Sequence, residues 1–188
     1  MKVKVTPSKV HGNVKIPASK SMAHRALICA SLSDGTSLVS NVTNSKDIEA
    51  TVGCMKALGA IIKQIDETTY EVTGTNLFKQ EGNITCNANE SGSTLRFLIP
   101  LAACTNAKVK FLGQGRLLQR PMDVYANEFK KQNIEFNQSD KEIIVSGNLQ
   151  AKDYVVQGDI SSQFITGFMF VLPLLNQDST LTITEPYE

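Results

Sequence analysis

Hydroxyl and cationic side chains cluster at the start of a predicted helix in the segment "PASKSMAHR", residues 17–25. Ser19, Lys20, Ser21 and Arg25 lie at or just inside the start of the otherwise apolar run "KSMAHRALICASLS". The first N–H groups of a helix are unpaired and its N-terminus carries a partial positive charge, so anions bind there. A lysine at that position opposes the dipole unless an anion is bound. The segment therefore predicts a site for a small polyanion.

Two further predicted helices begin in a similar way, at "NESGSTLR" (89–96) and "DISSQF" (159–164). Both carry small hydroxyl residues, and the first adds Arg96 and Gly92, whose missing side chain lets a ligand approach the backbone. At any single helix start, a serine is ordinarily a cap. Three matched starts with added cations instead favour one shared anion pocket.

A loop with the sequence "GQGRLLQRPMD" (113–123) adds Arg116 and Arg120. Arginine can hold a carboxylate or phosphate through two parallel hydrogen bonds. Solvated loop arginines are the other interpretation, and the sequence alone leaves both open.

The elements that carry these residues repeat along the chain. Strand-like alternation at 10–17 precedes an apolar helix, a strand, an amphipathic helix and a hairpin, which gives the order βαβαββ. The aligned positions Val14, Ile84 and Tyr154 recur at steps of 70 residues. We predict units at about 10–80, 81–150 and 151–188. The last unit lacks its second helix and hairpin, so we expect a truncated chain.

The helix patterns predict an α/β fold in which repeated βαβαββ units surround buried parallel helices. In each unit the first helix is almost wholly apolar, as in "FLIPLAA", whereas the second is amphipathic. We therefore expect the first helices to pack together inside and the second ones to lie outside. If the buried helices are parallel, their N-termini emerge on one face.

Composition limits the classes of function. The chain has 19 basic and 18 acidic residues and a net charge of +1, so we expect neither a nucleic-acid nor a membrane partner. No apolar run reaches the length of a membrane span, and the N-terminus lacks the apolar core of a signal peptide, which predicts a cytoplasmic location. The four cysteines form no CxxC pair, so we expect buried free thiols and no metal site.

The motifs together resemble the 5-enolpyruvylshikimate-3-phosphate synthase family. The similarity lies in S-K-S-x-x-x-R, S-G-S-T-x-x-R, L-x-x-R-P-M and S-S-Q-F, and it extends over essentially the whole chain. It implies the N-terminal domain (1–188) of a longer enzyme, with an inside-out α/β barrel fold. The implied reaction moves the enolpyruvyl group of phosphoenolpyruvate to the 5-hydroxyl of shikimate 3-phosphate and releases phosphate. It implies no metal or organic cofactor and a monomer when the protein is complete.

The resemblance also assigns residues to phosphoenolpyruvate. Lys20 and Arg120 would contact this substrate, chiefly at its phosphate, and Lys20 is the catalytic group assigned within this chain. Gly92 would line the same pocket, which binds the herbicide glyphosate in this family. Many members have asparagine where this chain has Glu90. A carboxylate there should repel the substrate unless Glu90 turns outward or pairs with a cation, and Asn89 is a possible substitute.

A second group is assigned to shikimate 3-phosphate. Ser21 and Arg25 would hold the ring substituents, including the carboxylate. Ser161, Ser162 and Gln163 would bind the same molecule, the two serines at its phosphate. The remaining catalytic groups of the family belong to a second domain absent from this chain, so we expect the chain alone to bind weakly and to turn nothing over.

Two other functions remain as alternatives. The sibling transferase that acts on UDP-N-acetylglucosamine shares the fold, but it usually has Lys-Asn and a reactive cysteine in an arginine-rich loop. Here Ser21 follows Lys20, Arg25 is present, and loop 113–120 has no cysteine. A module that binds phosphate or RNA ends is the other alternative, and the near-neutral charge argues against RNA.

Overall fold

The computed structural model describes residues 2–14 and 16–186. Its helices are α1 Lys20–Leu32, α2 Lys46–Ala57, α3 Gly92–Ala102, α4 Asp123–Lys130 and α5 Ser162–Val171. Its strands are β1 Thr36–Val39, β2 Ile61–Gln64, β3 Tyr70–Thr73, β4 Glu81–Asn87, β5 Asn106–Leu112, β6 Glu135–Gln138, β7 Ile143–Ser146, β8 Asp153–Gln157 and β9 Thr180–Thr184. The predicted α/β fold is confirmed. None of the helices among the described residues has both the length and the apolar character needed to cross a membrane.

The strands form three separate sheets, in the orders β1-β3-β2, β4-β5-β7-β6 and β8-β9. In the middle sheet β4 runs parallel to β5, with Ile84 opposite Val109, and the β6–β7 hairpin is antiparallel. In the last sheet β8 runs parallel to β9, with Tyr154 opposite Leu181. A helix connects each parallel pair, as such a crossover requires.

A serine caps each of the three apolar helices. The side chains of Ser19, Ser91 and Ser161 accept hydrogen bonds from backbone N–H groups in the first turns of α1, α3 and α5. Each cap satisfies one of the unpaired donors, which stabilises a helix by about 1 kcal/mol. The capping and anion-binding interpretations of these serines are therefore compatible, because a cap leaves other N–H groups of the turn unpaired.

Helix α3 forms the centre of the core and contains Pro100, which has no N–H to donate to the carbonyl of Arg96 one turn earlier. The hydroxyl of Tyr125, from α4, donates to that carbonyl at 2.7 Å instead. Burial raises the pKa of the Tyr125 phenol well above its ordinary value, so the donor keeps its proton. Gly167 allows α5 to lie close to this point, because a Cβ there would come within 2.8 Å of the Arg96 oxygen.

An ion-pair cluster joins α4 to the segment that leads into β8. The buried Glu128 carboxylate pairs with Lys131 and, at 3.0 Å, with Lys152. Burial alone would raise the pKa of Glu128, but the hydrogen bonds from the two lysines outweigh it and hold the pKa below its usual range.

The predicted strand at 10–17 is wrong for the described residues of that segment, and Lys15 lies outside them. No regular secondary structure forms there, and Val10, Val14 and Ile16 are 95%, 86% and 84% exposed. Alternating apolar residues form a strand only where a neighbouring strand takes up their backbone hydrogen bonds. Among the described residues no strand pairs with this segment.

The expected burial of the first helices holds for α3 but only partly for α1 and α5. Met22 on α1 and Met169 on α5 are each 63% exposed. Cys29 is also exposed, so the prediction of buried thiols is wrong for it, since it lies on the uncovered side of α1. The other three cysteines are buried and free, and burial raises the pKa of Cys104 to about 12.

Candidate anion-binding site

Lys20 lies at the first position of α1 and forms an ion pair with Asp47 in the first turn of α2. The Lys20 Nζ and Asp47 Oδ2 atoms are 2.6 Å apart, and both side chains keep contact with solvent. Asp47 complements the α2 dipole and also neutralises the lysine charge that would otherwise oppose the α1 dipole. An anionic ligand would compete with Asp47 for the ammonium group.

Gly92 and Arg120 are in direct contact, which brings the 113–120 loop to the start of α3. A Cβ built on Gly92 would overlap the Arg120 guanidinium group, so only glycine allows this approach. Arg120 is otherwise exposed, as is Arg116. The guanidinium group therefore lies at the N-terminus of α3 with donors still available to an anion.

Gln163, in the first turn of α5, is bound on both sides by α3. Its Oε1 accepts from Nη1 of Arg96 at 2.8 Å, and its Nε2 donates to Oγ of Ser93 at 2.9 Å. Because arginine has only donors, these contacts fix which end of the amide is the oxygen. The starts of α3 and α5 thus lie side by side, and the later contact of Gly167 with Arg96 shows that the two helices run in the same direction.

Arg25 connects α1 to α5 and α3. Its guanidinium group donates to the Ser21 carbonyl at 3.0 Å and to Oγ1 of Thr166 at 3.1 Å, and it lies 5.1 Å from the centre of the Phe97 ring. An arginine held in this way is partly pre-ordered, so it loses less side-chain freedom when it binds a ligand.

The three predicted serines occupy the helix starts. Ser21 is exposed in the first turn of α1, Ser161 caps α5, and Ser162 is the exposed first residue of α5. The contacts described above connect all of these helix starts into one face. The structure thus brings together the elements that carry every site residue predicted from the sequence.

Glu90 approaches the 113–120 loop at Gly115. Its side chain is exposed, and its Oε1 lies 3.1 Å from the position that a Cβ on Gly115 would take. The neighbouring Asn89 lies in the left-handed region with a φ of 50°, and its carbonyl accepts a hydrogen bond from the Gln114 amide at 2.6 Å. Glu90 is therefore exposed beside the loop that carries Arg120, and its effect on the substrate stays a prediction.

His24 lies buried one turn below Lys20. Burial lowers its pKa from 6.5 to about 4, and Lys20 and Arg25 lower it further, while Asp47 acts in the opposite direction. The imidazole is therefore neutral at physiological pH. Its Nδ1 atom is 2.7 Å from Oγ1 of Thr51 on α2.

Sequence reasoning missed several residues of this face. Asp47 and Thr166 were not singled out, because nothing local separates a first-turn aspartate or a mid-helix threonine from an ordinary one. A signal for Asp47 was available in "SKD" at 45–47, where Lys46 follows the capping Ser45 as Lys20 follows Ser19 and an acidic residue comes next. Only the fold shows that the two starts are adjacent.

Comparison with known proteins gives one consistent result. The profile of the family described as EPSP synthase (3-phosphoshikimate 1-carboxyvinyltransferase) matches residues 5–188. A 3-phosphoshikimate 1-carboxyvinyltransferase of Clostridium perfringens is 47% identical over 189 residues, which cover 100% of this chain and 44% of the relative. One of Clostridium kluyveri is 47% identical over 188 residues, which cover 99% of this chain and 44% of the relative.

Solved structures agree at the level of the fold. An EPSP synthase from Acinetobacter baumannii superimposes with a TM-score of 0.78 at 18% identity, over 94% of this chain and 41% of that chain. The chain therefore spans less than half the length of the relatives that it matches.

Proposed function

Because the chain belongs to the EPSP synthase family, we propose that it forms one face of an active site that transfers the enolpyruvyl group from phosphoenolpyruvate to shikimate 3-phosphate and releases phosphate. The 5-hydroxyl of shikimate 3-phosphate is the acceptor, and the reaction passes through a tetrahedral intermediate. A longer polypeptide would supply the opposite face. A cytoplasmic location and a monomeric state belong to the same proposal.

The observation that carries this proposal is the convergence of the helix starts. Lys20 contacts Asp47, Arg120 contacts Gly92, and Gln163 bridges to α3 through Ser93. Together these contacts give one face with unpaired backbone donors and cations, which suits two phosphorylated carboxylic acids.

We assign phosphoenolpyruvate to the side of the face with Lys20, Gly92 and Arg120. Lys20 would exchange Asp47 for the substrate phosphate, and Arg120 would donate to the same phosphate from above Gly92. Both cations stabilise negative charge on the phosphate as it leaves.

We assign shikimate 3-phosphate to the side formed by α1 and α5. Arg25 would bind the carboxylate and Ser21 a ring substituent, while Ser161 and Ser162 would bind the phosphate at the start of α5. The NH₂ group of Gln163 donates one proton to Ser93, and its second proton would donate to the substrate. A second domain would exclude water and supply the acid–base groups, so we expect no turnover from the 188-residue chain by itself.

The proposal is tested with a fused protein in which this chain replaces the matching N-terminal part of the Clostridium perfringens relative. Phosphate release should require both phosphoenolpyruvate and shikimate 3-phosphate, and UDP-N-acetylglucosamine should not replace the latter. Arg25→Ala should weaken shikimate 3-phosphate binding by about 1.5–3 kcal/mol, the range for a hydrogen bond to a charged group. Lys63→Ala, which removes an exposed cation on β2, is the matched control and should change nothing.

Activity with the UDP-sugar, or no activity in a folded fused protein, would refute the proposal. If Arg25→Ala lowered only the melting temperature and left affinity unchanged, the role assigned to Arg25 would be wrong.

A further inference from the structure

A chain of buried polar side chains links α1, α2 and α3 beneath the candidate site. Nδ1 of His24 is 2.7 Å from Oγ1 of Thr51, which is 2.7 Å from Oγ1 of Thr94, which is 2.7 Å from Oγ of Ser91. All four residues are buried. Their hydrogen bonds therefore connect three helices below the Lys20–Asp47 ion pair, in addition to the apolar packing between them.

Two members of this hydrogen-bonded network, His24 and Thr51, lie one helical turn after Lys20 and Asp47. His24 follows Lys20 by four positions and Thr51 follows Asp47 by four, so each pair lies on one face of its helix, one above the other. Thr94 lies in the first turn of α3 with Gly92, and its hydroxyl is also 3.3 Å from the Asp47 carbonyl. The polar chain thus forms a layer directly below the Lys20–Asp47 ion pair.

Counting protons fixes the direction of the hydrogen bonds. Thr94 donates to Ser91, and a hydroxyl has one proton, so the bond between Thr94 and Thr51 must be donated by Thr51. Thr51 must then accept from the protonated Nδ1 of His24. This requires the neutral Nδ1–H tautomer.

The environment of the other ring nitrogen agrees with that tautomer. Nε2 of His24 is buried and has no hydrogen-bond partner among the described residues. The imidazole ring meets the Phe97 ring edge-on, with 6.4 Å between the ring centres. A second proton on this ring would be buried without an acceptor, which is consistent with the low pKa of His24.

A buried polar group that loses its hydrogen-bond partner destabilises the folded protein by about 1–3 kcal/mol. Apolar side chains would fill the same space without needing such a partner, whereas a directed hydrogen-bond chain fixes the relative position of its members. We propose that His24, Thr51 and Thr94 are positioning residues, which hold the starts of α1, α2 and α3 at the spacing that a phosphorylated carboxylic acid needs between Lys20 and Gly92. This inference rests on the proposed function for the identity of the ligand.

Substitutions at Thr51 test the proposal, because Thr51 is the middle link. Thr51→Val removes the hydroxyl and keeps the shape, and Thr51→Ser restores the hydroxyl. Thr105→Val is the matched control. Thr105 is also buried, but it lies after the C-terminus of α3, where its hydroxyl donates to the Ala102 carbonyl. Each variant is made in the 188-residue chain, for amide hydrogen exchange, and in the fused protein, for KM and kcat.

We expect Thr51→Val to raise KM for phosphoenolpyruvate by about tenfold, the factor that corresponds to the free energy of about one hydrogen bond. Thr51→Ser should stay within about twofold of the parent, and Thr105→Val should lower the melting temperature without moving KM. In the isolated chain, Thr51→Val should speed amide exchange mainly in the first turns of α1 and α3.

The proposal would be overturned if Thr51→Val and Thr105→Val raised KM equally. It would also be overturned if Thr51→Val lowered the melting temperature but left KM and the local amide exchange unchanged. If the parent fused protein is inactive, the proposed function fails by itself. The exchange data then decide the positioning role: faster exchange confined to the two helix starts supports it, and uniform exchange overturns it.

Discussion

The hydroxyl of Tyr125 occupies the place of the N–H that Pro100 lacks, and this substitution of donors can be measured. Tyr125→Phe keeps the aromatic packing but leaves the buried Arg96 carbonyl without the 2.7 Å hydrogen bond. Removing one partner of a buried hydrogen bond costs about 1–3 kcal/mol, so we expect a loss of that size in the free energy of unfolding.

The Pro100→Ala background separates this effect from a general loss of packing. Alanine at position 100 supplies the missing N–H within α3, and a carbonyl oxygen can accept two hydrogen bonds. In that background Tyr125→Phe should cost about 1 kcal/mol less than in the parent, which appears as a coupling energy in a double-mutant cycle. Urea unfolding followed by circular dichroism measures all four free energies, provided that the m-value stays constant.

A matched control comes from Tyr70, whose hydroxyl donates to Asn44 far from Pro100. Tyr70→Phe should cost the same in both backgrounds. An equal cost of Tyr125→Phe in both backgrounds would show that Tyr125 stabilises the core through its ring alone and that the donor replacement is wrong.

Three further predictions follow from single groups. Lowering the pH from about 7 to about 5 should reduce the free energy of unfolding by about 2 kcal/mol through His24, because the pKa of His24 is about 4 in the folded state and 6.5 in the unfolded state. Urea titrations at both pH values measure this loss, and His24→Gln should abolish the share that comes from His24. A pH dependence that His24→Gln leaves unchanged would contradict the prediction. Gly92→Ala should push the Arg120 guanidinium aside and weaken phosphoenolpyruvate binding in the fused protein with less than about 1 kcal/mol change in stability, so unaltered affinity would count against the assigned contact. Glu128→Gln should lower the free energy of unfolding by about 1–3 kcal/mol at neutral pH, and this difference from the parent should vanish as the pH falls through the lowered pKa of Glu128. A loss of stability in melting experiments that does not depend on pH would rule out the ion pair with Lys152 as its cause.

Local sequence patterns predicted the helix starts well, because their physics is local. A serine followed by an apolar, helix-forming run specifies a cap, and Ser19, Ser91 and Ser161 all act as caps. The recurrence at 70-residue steps then indicated that these starts are related. The cations at the same places could be interpreted chemically before any fold was known.

The rest depends on partners that are distant in the sequence. Alternation at 10–17 gave no strand, because a strand is completed by its neighbours and the described part of the chain offers none there. The contact of Lys20 with Asp47 and that of Tyr125 with Arg96 join different helices, so no local window contains them. The approach of Glu90 to Gly115 was likewise undecided, because it depends on a loop that is distant in the sequence.

The claim that three helix starts form one anion site is tested most directly by a titration of the isotope-labelled chain with shikimate 3-phosphate, followed by NMR. We predict that backbone amides in the first turns of α1, α3 and α5 shift together with a single dissociation constant, and that Arg25→Ala weakens all of these shifts in parallel. Shifts confined to one helix, or separate dissociation constants at different helix starts, would contradict the account.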